Sequence, residues 1–124
     1  MHNYRELKIW QKSIELTQSV YQLTFDLPSN EKFGLVSQLQ RASVSVASNI
    51  AEGSSRDSQK EFNYFLSLAI GSLFEIDTQI VIAKSLGFIK EKESDKILNQ
   101  VLELIKMTRG FQKTIKSNSL ASKI

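Results

Sequence analysis

The chain predicts an all-α fold, an antiparallel up-down-up-down four-helix bundle, on three observations. Apolar residues recur at steps of three and four almost from end to end, no segment makes a convincing strand, and the breaks between periodic segments are short. Short connections leave no room for crossovers along a bundle, so neighbouring helices run antiparallel. At 124 residues and 14.1 kDa the chain has material for one core and not two.

In the first helix Leu7, Trp10, Ile14, Thr17 and Tyr21 form one row, and Leu16, Val20, Leu23 and Leu27 a second. Pro28 stops it, because proline disfavours helical geometry at the residue before it. A second helix is expected from near Asn30, a capping residue type, with acidic Glu31 in its first turn. Its inward row is Leu35, Leu39, Ala42, Val46 and Ile50, and it ends at Gly53. Residues 53–58, GSSRDS, form a loop by composition, and Ser58 with Glu61 predicts a capping box. In the third helix Phe62, Leu66, Ala69, Leu73, Ile76, Ile80 and Ala83 alternate steps of four and three. That heptad seam lies on a helix of about 40 Å. Gly87 closes it. The fourth helix, from about Lys90 to Lys116, carries Ile97, Val101, Leu104, Thr108, Phe111 and Ile115. Residues 1–117 make a single domain and residues 118–124 a frayed tail.

Composition narrows the function. With 41% hydrophobic and 23% charged residues, one proline and five glycines, the chain is neither disordered, nor collagen-like, nor a low-complexity linker. It has no cysteine, which removes disulfides, thiolate metal sites and cysteine nucleophiles. The single histidine, His2, argues against a histidine base or a histidine-ligated metal core. The glycines are isolated, so no phosphate-cradling loop is present. Spacing alone brings Glu52, Glu75 and Asp77 into no common site. The expectation is a protein that is not an enzyme, with no cofactor and no metal. Lacking a secretion signal and any run of about 18 apolar residues, it is expected in the cytoplasm, away from membranes.

Two features exceed the needs of a lone bundle. The third helix has a second apolar row, Ile70, Phe74 and Val81, about 100° from its seam, and Leu98, Leu102 and Ile105 widen the apolar arc of the fourth. This surplus predicts a contact between identical subunits; a thick core that buries both helices is the alternative. The second helix is rich in small residues, with Gln38, Arg41, Ser45 and Glu52 on a polar flank and Asn49 nearer its apolar row. That flank is either a polar network fixing register between helices or subunits, or an ordinary solvated face.

The formal charge of +3 is unevenly placed. Residues 1–89 hold 8 Lys/Arg against 9 Asp/Glu, and residues 90–124 hold 8 against 4. Within the latter, Lys106, Arg109, Lys113 and Lys116 share one helix face and span about 15 Å, a match to a phosphate backbone. Four charges on one copy bind nucleic acid weakly, so this reading depends on assembly, which multiplies the ridges. A solubilising face is the alternative.

Several stretches resemble a known family. They are Phe33-Gly34-Leu35, Gln38-Leu39-Gln40-Arg41-Ala42-Ser43-Val44-Ser45 and Asn49-Ile50-Ala51-Glu52-Gly53, flanked by Leu7-Lys8-Ile9-Trp10-Gln11-Lys12, Leu27-Pro28, Lys60-Glu61-Phe62, Ala69-Ile70-Gly71-Ser72-Leu73-Phe74-Glu75 and Leu86-Gly87-Phe88-Ile89. Together they resemble the bacterial four-helix-bundle family named for the 23S rRNA intervening-sequence protein, over about residues 4–115. Gln40 departs from it where a second basic residue is common, and Ala47 where proline often occurs. The resemblance implies a homopentameric ring of bundles with no established enzymatic activity. A similar protein, the accessory variability protein of diversity-generating retroelements, is a basic pentamer that binds nucleic acid and works with a reverse transcriptase. Arg41, Asn49 and Glu52 are then packing or interface groups. Two functions follow as expectations: an oligomer binding RNA or DNA through the fourth helix, or a scaffold that recruits a partner protein such as a reverse transcriptase.

Overall fold

The computed structural model describes residues 3–31 and 34–122. His2, Phe33 and the last two residues of the expected tail lie outside that range. The order is a 3-10 turn at Tyr4–Glu6, α1 (Lys8–Thr24), a 3-10 turn at Ser29–Glu31, α2 (Leu35–Ser54), α3 (Gln59–Ser85) and α4 (Glu91–Ser122). Each helix packs on its neighbours in sequence and α4 closes on α1; the diagonal pairs α1/α3 and α2/α4 stay apart among the described residues. This is a four-helix bundle with up-down connectivity.

Specific contacts fix the antiparallel heights. Thr17 Oγ1 donates to Ser43 O at 3.1 Å between α1 and α2, and Gln40 Nε2 to Thr24 Oγ1 at 3.2 Å. Ser45 Oγ meets Ser72 Oγ at 2.9 Å between α2 and α3. Phe62 stacks edge-on against Phe111, centroids 5.5 Å apart, and Gln112 Nε2 donates to Asn63 O and Ser67 Oγ between α3 and α4. Lys12 and Glu103, 3.9 Å apart, link α1 to α4.

The inward rows of α2 and α3 are buried throughout as their spacing predicts. So are Ile97, Val101, Leu104, Thr108 and Ile115 of α4, with Phe111 half-buried against the core. Of the two rows expected in α1, the second, Leu16, Val20, Leu23 and Leu27, is buried, and the first needs correcting. The buried row is Ile9, Ser13, Leu16, Val20 and Leu23, whereas Trp10, Ile14 and Thr17 are half-buried and Tyr21 is exposed. The large rings turn toward the flank shared with α2, and small Ser13 fits the core because its hydroxyl donates to Trp10 O at 2.6 Å.

The start of α2 also differs. Asn30 sits in the 3-10 turn, and the helix begins after Gly34, where a Glu31 carboxylate oxygen lies 3.4 Å from Leu35 N and satisfies one of the first-turn donors. Ser58 caps α3, its Oγ accepting from Glu61 N at 3.1 Å, but the return bond of the expected box, from Ser58 N to the Glu61 carboxylate, is not made. Gly87 ends α3 at φ +79°, in the left-handed region that side chains disfavour. By length and composition α3 is long and apolar enough to cross a membrane, and 44% of its most apolar window is buried in the bundle.

Candidate interaction surfaces

The cationic ridge forms as the spacing predicts. Lys106, Arg109, Lys113 and Lys116 are all exposed on α4, and none makes an ion pair among the described residues. The acidic residues of α4 lie in its first half, interleaved with Lys92 and Lys96, and beyond Glu103 its only charged residues are cations, none of them in its last turn. Because α3 and α4 are antiparallel, this end of α4 stands beside the start of α3, where Lys60 is also exposed. Reading α4 alone missed Lys60; its place three residues before Asn63, the partner of Gln112, supplies it.

The polar flank of α2 divides into three. Asn49 Nδ2 donates to Ser45 O at 2.9 Å and Ser45 Oγ at 3.0 Å, and Ser45 continues to Ser72 on α3. These three residues form a network that fixes the α2–α3 register, with Ser72 the member that spacing within α2 did not reveal. Glu52 instead pairs with Arg56 at 2.8 Å, and the Arg56 guanidinium lies 4.6 Å from the Phe65 ring centre. Gln38 and Arg41 stay exposed, their side chains bonded to no described residue.

The surplus apolar rows are partly absorbed. Ile70 is 3% exposed and belongs to the interior, a correction to its expected place on a free surface. Leu98 and Ile105 are half-buried against the core. Both corrections have one cause: α3 and α4 lie close enough to close over the flank between them. Phe74, Val81 and Leu102 remain open at 52%, 51% and 51% exposure. The pairing of Phe62 with Phe111, carried along the helices, sets Leu102 near the height of Phe74, so these three form one patch above the cationic ridge.

A groove between α1 and α2 was not foreseen. It measures about 300 Å³ and is lined by Tyr4, Trp10, Ile14, Thr17, Val44, Ala47, Ser48 and Ala51, with no charged residue. Nor was a further stripe on α3, Tyr64, Leu68, Ile82 and Leu86, all exposed on the side opposite the seam. A count of apolar residues all round α3, in place of a search for one seam, reveals it. Among the described residues no group of three or more His, Cys, Asp or Glu is placed to hold a metal ion.

Comparison with known proteins agrees with this architecture. A crystal structure of a protein of unknown function from the S23 ribosomal protein family of Bacteroides thetaiotaomicron is similar at a TM-score of 0.79 and 23% identity. It covers 85% of this chain and 95% of that one, a likeness that shows the fold. No match is found among curated proteins. The family model for the 23S rRNA-intervening sequence protein matches residues 5–110, nearly the whole bundle, and the chain belongs to that family.

Proposed function

We propose that this protein is a non-enzymatic homo-oligomer of the cytoplasm, pentameric as the family resemblance implies, that binds RNA or DNA through the phosphate backbone. The observation that carries this reading is the line of four exposed cations on α4, free of ion pairs among the described residues. Cations already paired within the fold release no counterions on binding; these do. One ridge neutralises only about four phosphates, too few for tight binding at physiological salt, and several ridges on one assembly act together. The sequence carries no recognition-helix motif or aromatic platform beside the ridge, so binding follows charge and not base sequence.

The test is binding of labelled RNA and DNA across a salt series. Affinity falls steeply with salt, and replacing Lys106, Arg109, Lys113 and Lys116 by alanine flattens the slope by about 0.7–0.9 per lost phosphate contact. Failure to bind either nucleic acid at low salt, or an unchanged slope in the quadruple variant, defeats the proposal. The patch of Phe74, Val81 and Leu102 supports a second reading, a scaffold that recruits a partner protein such as a reverse transcriptase. Capture of such a protein that is lost on Phe74→Asp, without nucleic-acid binding, favours it.

A further inference from the structure

Self-association leaves open how one copy meets the next, and two unpartnered apolar surfaces bear on this. The first is the outward stripe of α3. Tyr64, Leu68, Ile82 and Leu86 are 60%, 40%, 42% and 58% exposed, and their spacing returns them to one helix face. The second is the α1/α2 groove, with Trp10 and Ile14 on one wall and Val44, Ala47 and Ala51 on the other. Since α3 touches α2 and α4 but not α1, the two surfaces look toward different sides of the bundle.

Their shapes are complementary and neither is self-complementary. Stripe against stripe about a two-fold axis sets the Glu75 carboxylates of both copies face to face, and groove against groove leaves both unfilled, so neither makes a well-packed interface. Large side chains entering a groove floored by alanines fit. Heights agree for the Tyr64–Leu68 end of the stripe, while Ile82 and Leu86 run on past the groove toward the start of α2. The Ser45–Ser72 pairing sets Leu68 level with Asn49, between Ala47 and Ala51 of the groove floor. Rotation about an axis along the bundle preserves height and brings Leu68 of one copy opposite the groove of the next. A two-fold axis across the bundle inverts heights and does not. Charges follow the same order: Glu75 lies on the outward side of α3 between Leu68 and Ile82, and exposed, unbonded Arg41 stands at nearly its height on α2.

We infer that the occupant of the α1/α2 groove is the Tyr64–Leu68 end of the α3 stripe of a second copy of this chain, a head-to-tail contact that generates a ring or filament. The inference rests on the self-association reading and specifies its contact. Unlike an isologous dimer interface, such a contact is lost by damage to either surface and recovered once by mixing copies damaged on opposite surfaces.

The experiment compares wild type, Ser48→Trp, which fills the groove, and the pair Tyr64→Asp and Leu68→Asp, which charges the inserted end of the stripe. Sedimentation reports mass, with circular dichroism reporting helix content; if the aspartates reduce helicity, Tyr64→Gln with Leu68→Gln replaces them. The expected result is an oligomeric wild type, each variant at the mass of one 14.1 kDa chain, and a 1:1 dimer when the two variants are mixed. Variants that keep the wild-type mass overturn the inference, as does loss of assembly in only one of them or a mixture that stays monomeric. A monomeric wild type instead defeats the self-association reading itself.

Discussion

Gly53 shows what a single missing side chain does here. A Cβ at this position would lie 2.7 Å from Phe65 Cβ and 2.9 Å from Phe62 Cδ1, so the end of α2 approaches the start of α3 only because the position is bare. The Asn-Ile-Ala-Glu-Gly run is therefore a packing device: Asn49 ties α2 to itself beside Ser72, Ile50 enters the core, and Gly53 admits the two rings. Gly53→Ala is expected to destabilise the bundle by about 1–3 kcal/mol through overpacking. Gly110→Ala, in the body of α4 with nothing within 4 Å of the added carbon, is expected to stabilise it by about 0.5–1 kcal/mol. Denaturant unfolding of the two variants checks the opposite signs; equal shifts would mean that the rings give way freely. Spacing alone made Gly53 a helix terminator, and the helix in fact runs to Ser54. Close approach of backbones depends on a neighbour far along the chain, which local pattern does not encode.

At the scale of elements, what is legible in sequence is what one helix settles for itself. The seams of α2 and α3 and the Ser58 cap follow from periodicity and local hydrogen-bonding chemistry, and the structure has them. Ser58→Ala is expected to cost about 1 kcal/mol, or about 4 °C in midpoint, with Ser58→Asp close to wild type. A thermal melt in which alanine and serine coincide would show that the loop, and not the hydroxyl, starts α3. What depends on a second element was misread. Of the two rows read in α1, the one with Trp10 and Tyr21 stays outside the core, and the buried one, Leu16 to Leu27, continues back through Ser13, whose hydroxyl donates to Trp10 O. The start of α2 was displaced by Glu31, whose side chain reaches the first turn from outside it. Ile70 looked surplus until α4 covered it. The candidate surfaces divide likewise: the ridge of Lys106, Arg109, Lys113 and Lys116 needs only one helix's periodicity, whereas the groove beside Trp10 exists only between two helices.

For the whole molecule, antiparallel packing turns uneven charge along the chain into uneven charge along the bundle. The cationic half of α4 lies beside Lys60 at the start of α3, whereas at the other end Lys90, Lys92 and Lys96 are interleaved with Glu91, Glu93 and Asp95. If copies associate side by side with heights preserved, their cationic ends gather on one rim, and a polyanion lying along it meets several ridges at once. Linking sites in this way raises avidity by about 10²–10⁴ with no new contact. Assembly and binding are then separable in one direction only. The quadruple alanine variant of the ridge is expected to keep its oligomeric mass and lose nucleic acid, because the four cations lie away from the groove and the stripe. Ser48→Trp keeps every cation, yet is expected to bind RNA at least 100-fold more weakly than wild type near physiological salt, with the difference narrowing at low salt, where even single ridges hold. Filter binding at two salt concentrations on samples of known mass decides the matter. A monomeric Ser48→Trp that binds as tightly as wild type would place the affinity within one bundle and leave assembly with some other task.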